Sequence, residues 1–143
     1  MRTIYPALIL TILGALTANT VHSVEPAPND NDAALRRGKL LFITQCRACH
    51  RTDSIADEHK IGPHLAAIID RKAATVPGYN YSAGLRAADW NWTMEKLDAW
   101  LQHPSEVVPG TTMTFMGIPG ADDRQSLLLY LERETRPQTT ARE

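Results

Sequence analysis

Both cysteines of the chain fall in one five-residue run, Cys46-Arg47-Ala48-Cys49-His50, and no other feature restricts the fold as tightly. Two thiols at this spacing stand about one helical turn apart and share a side of the chain. The imidazole follows directly on the second. This is the C-x-x-C-H pattern of covalent haem attachment: each thiol adds to one vinyl group on the haem edge, and the histidine projects beneath the iron. With two Cys and five His in 143 residues, a chance match has odds of about one in two thousand. A structural zinc site normally needs four ligands, and without a second C-x-x-C it would have to recruit His59, His64 or His103 beside His50. A dithiol redox site of the thioredoxin kind wants a β-α-β context, which is absent here. Haem c, one per chain, attached through Cys46 and Cys49, is the cofactor the sequence points to.

The rest of the chain has to enclose that group. A length of 143 residues with 43% hydrophobic and 22% charged content suits one globular domain, and excludes a large multidomain enzyme. Aromatic residues make up only 6%, so apolar burial is modest and a bound prosthetic group is expected to support the core. Fifteen basic residues against sixteen acidic ones give a formal charge of −1, which lacks the basic footprint of a nucleic-acid binder. No nucleic-acid partner is expected.

Ile4 to Leu16 is an uncharged, mostly apolar stretch behind Arg2, followed by small and polar residues. It is too short for a bilayer span of roughly 20 residues and contains Pro6, so residues 1–23 read as a secretory signal peptide with cleavage after Ser23. The expected location is the periplasm, the alternative being a retained leader that anchors the protein to the membrane facing the periplasm. Residues 24–31, with EPAPNDN, read as a flexible lead-in. The domain is expected over residues 32–136, and 137–143 as a frayed tail.

Within the domain, a first helix is expected to start with Asn31 or Asp32 as cap and to carry Leu35, Leu40, Leu41, Phe42 and Ile43. Gly38 interrupts it, costing about 1 kcal/mol against Ala, and so marks a place where another helix comes close. Residues 52–82 read as loop, with one short helical candidate from His64 to Ile69. Thr93 caps a further helix with Leu97, Trp100 and Leu101 on one face, stopped before Pro104. A Gly- and Pro-rich loop follows, and a last helix opens at Asp122 or Asp123, with Gln125 in a capping-box position and a stripe of Leu127, Leu128 and Leu131. No strand-like alternation or internal repeat is visible.

The pieces GKLLFITQCRACH, GPHL, PGYNYS, WTMEKLDAWLQHP, VPGTTMTFMGI and LLLYLERE, in this order and spacing, resemble the monohaem class I cytochromes c of the mitochondrial type and their bacterial relatives. The resemblance implies an all-α fold in which an N-terminal helix at Gly38 and Phe42 crosses a C-terminal helix at Tyr130, with the haem in a crevice between loops. It implies His50 and Met113 as the two iron ligands. Met94 reads as a packing or surface residue, and Met116 as crevice lining. A histidine could take the sixth position if the Met113 loop opened. Pro63 matches the proline whose carbonyl accepts from the proximal imidazole. Leu65 matches a crevice-lining leucine, Tyr81 and Trp92 match donors to a buried propionate, and Arg71 matches the arginine that offsets its charge. Trp100, Phe115, Ser82 and Thr111 complete the expected cofactor-binding set.

Several positions depart from the family pattern. Trp100 stands where a tyrosine usually meets the axial sulfur, Leu85 where an asparagine is common, and His64 where an asparagine is usual. Ser82 and Thr111 remain as hydroxyl sources. Thr112 replaces a lysine next to the ligand, and no dense ring of lysines occurs elsewhere. The implied activity is one-electron transfer by a monomer between redox partner proteins, such as a membrane cytochrome complex, a terminal oxidase or a periplasmic oxidoreductase. Docking to them is expected to depend less on salt than for a lysine-ringed carrier. The alternatives are a haem enzyme or gas sensor with a labile sixth ligand, and a tethered subunit of a larger oxidoreductase.

Overall fold

The structure, a computed structural model, describes residues 29–54 and 60–136. The expected leader, most of the lead-in, the tail and His59 lie outside the described residues. Among the described residues five α-helices follow one another: α1 (Asp30–Leu41), α2 (Ala83–Ala87), α3 (Met94–Gln102), α4 (Pro104–Val107) and α5 (Ala121–Thr135), with a π-helical turn at Phe42–Cys46 continuing α1. Among the described residues there is no strand, only an isolated antiparallel bridge between Lys72 and Asn91. The all-α class is as expected. No helix of the described residues is long and apolar enough to cross a membrane.

The frame is the crossing of α1 with α5. A Cβ at Gly38 would collide with the Ser126 backbone carbonyl and stand 2.8 Å from Tyr130 Cβ, so the glycine is what allows the two backbones to touch. One turn later Phe42 lies against Tyr130, ring centroids 5.6 Å apart at 41°. Arg37 Nε donates to Asp123 at the far side of the same crossing. Leu127, Leu128 and Leu131 are buried beneath, each such side chain contributing about 1.5–3 kcal/mol by leaving water. α3 closes the core with Leu97, Trp100 and Leu101.

Helix ends show how local chemistry decides boundaries. α1 begins two residues before the expected start, because Asn29 Oδ1 accepts from Asp32 N at 2.9 Å and Asp30 and Asp32 then face the positive helix end. α3 starts after Thr93, which accepts from Lys96 N at 3.2 Å. Pro104 ends it and opens the single turn of α4, as a residue without an N–H can at a first helical position. α5 starts at Ala121 with Gly120 as cap and no side-chain cap bond. The expected capping box does not form, and Asp123 is engaged by Arg37 instead.

The helical candidate at His64–Ile69 is overturned. Ala67 and Asp70 have φ of 50° and 60°, a left-handed backbone no right-handed helix accommodates. Their N–H groups go to distant carbonyls, Ala67 to Thr135 at 2.6 Å and Asp70 to Trp92 at 3.0 Å. Tertiary bonds outweigh local propensity here, and they tie this loop to α5 and to the start of α3.

Gly38→Ala is expected to lower stability by about 2–3 kcal/mol through backbone separation, measured by thermal or denaturant unfolding. Gly78→Ala, where φ is +74° but nothing lies within 4 Å, should cost only about 1 kcal/mol. Equal losses at the two positions would contradict the close crossing.

Candidate cofactor site

The π-helical turn at the end of α1 carries the cysteine motif. Its widened bond from Arg47 N to Phe42 O (2.9 Å) is followed by tight bonds to Cys46 O from Cys49 N (3.0 Å) and His50 N (2.8 Å). The chain curls, and Cys46, Cys49 and His50 face one cavity of about 220 Å³. The 60–65 loop is fastened to the motif by Gly62 N to Cys49 O at 2.9 Å and Leu65 N to Arg51 O at 2.7 Å.

His50 is held on two sides. Nδ1 donates to the Pro63 carbonyl at 2.8 Å, which leaves Nε2 with its lone pair. Behind the ring, a Cβ at Gly62 would come within 2.8 Å of Nδ1 and 2.9 Å of Nε2; the glycine is the cradle in which the imidazole rests. Burial pushes the His50 pKa down, the Pro63 bond opposes this, and the charge of Lys60 adds to the lowering. A neutral imidazole, the form that ligates metal, is favoured.

Burial, and secondarily Cys49, pushes the Cys46 thiol up to about 11. That is the reverse of what a dithiol catalyst or a zinc thiolate requires. Among the described residues no group of three or more His, Cys, Asp or Glu is placed to hold a metal ion directly. The chemistry of this wall is that of a neutral Cys46 thiol and a second cysteine beside one neutral imidazole in a largely apolar space.

Twelve of the thirteen residues expected to bind cofactor line the cavity: Cys46, Cys49, His50, Pro63, Leu65, Arg71, Tyr81, Trp92, Trp100, Thr111, Met113 and Phe115. Ser82 does not. Its Oγ accepts from Leu85 N at 3.3 Å and caps α2, so the hydroxyl serves a short helix that begins just past the 52–82 loop. Leu85 is on the wall and makes it apolar where an amide is common. Among the described residues Met113 is the one methionine on the wall; Met116 is 92% exposed and is not the crevice lining expected of it. His64 and His103 are also absent from the wall.

At another part of the wall stand Arg71, Tyr81 and Trp92. The Arg71 guanidinium donates to Ala66 O at 2.5 Å and His64 O at 3.1 Å. Burial pulls its pKa down while Tyr81 opposes, yet an arginine stays charged. Tyr81 Oη accepts from Val76 N at 3.3 Å and keeps its own proton to donate; burial, chiefly, raises its pKa. Trp92 is buried and meets Trp100 edge-on at 5.3 Å. A part-buried cation and a phenolic donor beside an otherwise apolar cavity suit a flat apolar group carrying carboxylates. Together with the two thiols and the cradled imidazole, these residues fit a covalently bound haem.

Among the wall residues outside the expected set are Gly62, Ile68, Leu97, Leu101 and Leu131. The apolar stripes of α3 and α5 were visible, but a stripe does not say whether it meets protein or cofactor. The signal for Gly62 was its place beside Pro63.

Gly62→Ala should displace the imidazole and break its bond to Pro63. The haem-loaded variant is expected to lose the low-spin absorption spectrum of the parent, whereas Gly78→Ala keeps it. A parent-like spectrum in Gly62→Ala would contradict the cradle.

No protein-family model matches the chain. Among curated proteins it is similar to a cytochrome c-type cyt cy of Rhodobacter capsulatus, 42% identical over 108 residues, covering 76% of this chain and 52% of that protein. It is similar to cytochrome c type-1 of Ascaris suum, 42% identical over 97 residues, 68% of this chain and 85% of that one. With cytochrome c of Nigella damascena the identity is 36% over 113 residues, 79% and 98% of the two chains. The chain thus spans about half the length of the bacterial relative and most of the length of the other two. With the C-x-x-C-H run on the cavity wall and these relatives beside it, the chain belongs to the cytochrome c family and carries haem c through Cys46 and Cys49.

Proposed function

We propose that this chain is an exported one-electron carrier whose single iron is held by Nε2 of His50 and the sulfur of Met113. The observation that carries the reading is the cavity wall itself: among the described residues it holds one neutral imidazole, one methionine and no further histidine. When bound, the haem supplies the one-electron ferric–ferrous couple. The protein's own residues do the rest. Pro63 and Gly62 fix the ring of His50, so little reorganisation accompanies a change of iron charge. Leu65, Leu85, Trp100 and Phe115 keep water from the group. Arg71, Tyr81 and Trp92 hold its carboxylates. Thr111 Oγ1 accepts from Met113 N at 3.3 Å, which orients the backbone that presents the sulfur. A thioether is a soft, neutral donor, and in an apolar crevice it favours the ferrous state and raises the potential.

The partners are other redox proteins. Export is supported by the apolar stretch at Ile4–Leu16 and by the bacterial relative, and the periplasm is the location we favour. With uncharged Thr112 and Thr114 on the cavity wall, contact with partners is expected to rest on fit around the haem edge more than on opposite charge.

The test is a redox titration of the holoprotein followed by exposure of the reduced form to carbon monoxide at neutral pH. A reversible one-electron wave with slow, incomplete carbon monoxide binding is expected. Rapid and complete binding would overturn the carrier in favour of a haem enzyme or gas sensor.

A further inference from the structure

Arg124 lies on α5, away from the cavity wall, and its side chain is only 8% exposed. It makes four bonds that join three parts of the molecule. Nε and Nη2 donate to the two carboxylate oxygens of Asp98 on α3, at 2.8 and 3.3 Å. Nη1 donates to the carbonyls of Ile118 and Pro119, at 3.0 and 2.9 Å. Those two carbonyls are the exit of the loop that carries Met113.

Among the described residues that loop is otherwise hydrogen-bonded only at its ends, while Met113 and Phe115 pack against the core between them. At the entrance, Thr111 N bonds Val108 O at 3.1 Å and Thr111 Oγ1 receives Met113 N. At the exit, Ile118 N bonds Leu101 O at 2.8 Å, and Gly117, at φ +96°, lies so close to the Gln102 carbonyl that a Cβ would collide. Between them, Thr114, Phe115 and Met116 make no hydrogen bond among the described residues. The hydrogen bonds that place Met113 are therefore those of its two anchors.

We infer that the Asp98–Arg124 pair is a latch that positions Met113, setting how readily the sulfur leaves the iron. The inference rests on Met113 being the sixth ligand, as proposed above. The fork of an arginine can serve a carboxylate and carbonyls at once only while its plane is fixed. Asp98 fixes that plane from α3, and Nη1 then faces the loop. Without the carboxylate the buried guanidinium seeks other acceptors and abandons the loop exit, since a buried charge left unpaired is costly. The pair touches neither the cavity nor Met113, so its effect is on the loop's opening equilibrium and not on the iron directly.

The experiment follows the rate at which added imidazole binds the ferric holoprotein, together with the weak long-wavelength band of a sulfur–ferric iron bond. Asp98→Asn is expected to speed imidazole binding about tenfold, the factor for loss of one charge-assisted hydrogen bond. Asp98→Glu should restore a slow rate. Arg124→Lys, which keeps the charge but cannot bridge carboxylate and carbonyls, should also be fast. In a Met113→Ala background Asp98→Asn should add nothing, because no sulfur is left to release. A wild-type rate in Asp98→Asn and Arg124→Lys, with the parent's band present, overturns the latch alone, as does equal acceleration with and without Met113. A parent lacking the band overturns the ligand assignment and the latch with it.

Discussion

The site hangs from one close approach, the contact of the α1 backbone at Gly38 with the Ser126 carbonyl of α5. Because α1 runs without interruption into the π-helical turn, the place of Gly38 sets the place of Cys46 eight positions on. α5 answers from the other side by placing Leu131 on the cavity wall. A side chain at this contact would part the helices, and the thiols would move relative to the wall they share with α5. The crossing is thus the datum from which the site is measured.

From that datum the chain solves two problems with different means. The imidazole must be neutral, aimed and immobile, and it is made so by a glycine behind it, a carbonyl on Nδ1 and burial that disfavours its charge. The methionine, as the proposed second ligand, has to tolerate two charge states of iron. It sits on a loop pinned at both ends and unbonded between. Rigid histidine and tethered methionine suit the proposed one-electron carrier, in which ligation has to survive oxidation and reduction with little movement.

The sequence was most legible where a single residue type has one job. The cysteine run named the cofactor, Gly38 announced a close crossing, and Thr93 with Pro104 bounded α3. It was least legible where distant groups decide. Ala67 and Asp70 carry no mark of their left-handed backbone, which follows from bonds to Thr135 and Trp92. Ser82 looked like a source of a cofactor hydroxyl, but a five-residue helix too short to show a period claims it as a cap. Nothing in the sequence marks Arg124, and only the fold reveals that it is buried against Asp98. Met113 and Met116, three residues apart, are told apart by the loop, which turns one into the cavity and the other into solvent.

The most direct test of the account is the absorption spectrum of the oxidised holoprotein beside that of Met113→Ala. The account predicts low-spin haem with the weak long-wavelength band of sulfur bound to ferric iron, and loss of that band in the variant. A parent without the band, or a variant that retains it, would mean that some group other than Met113 closes the iron.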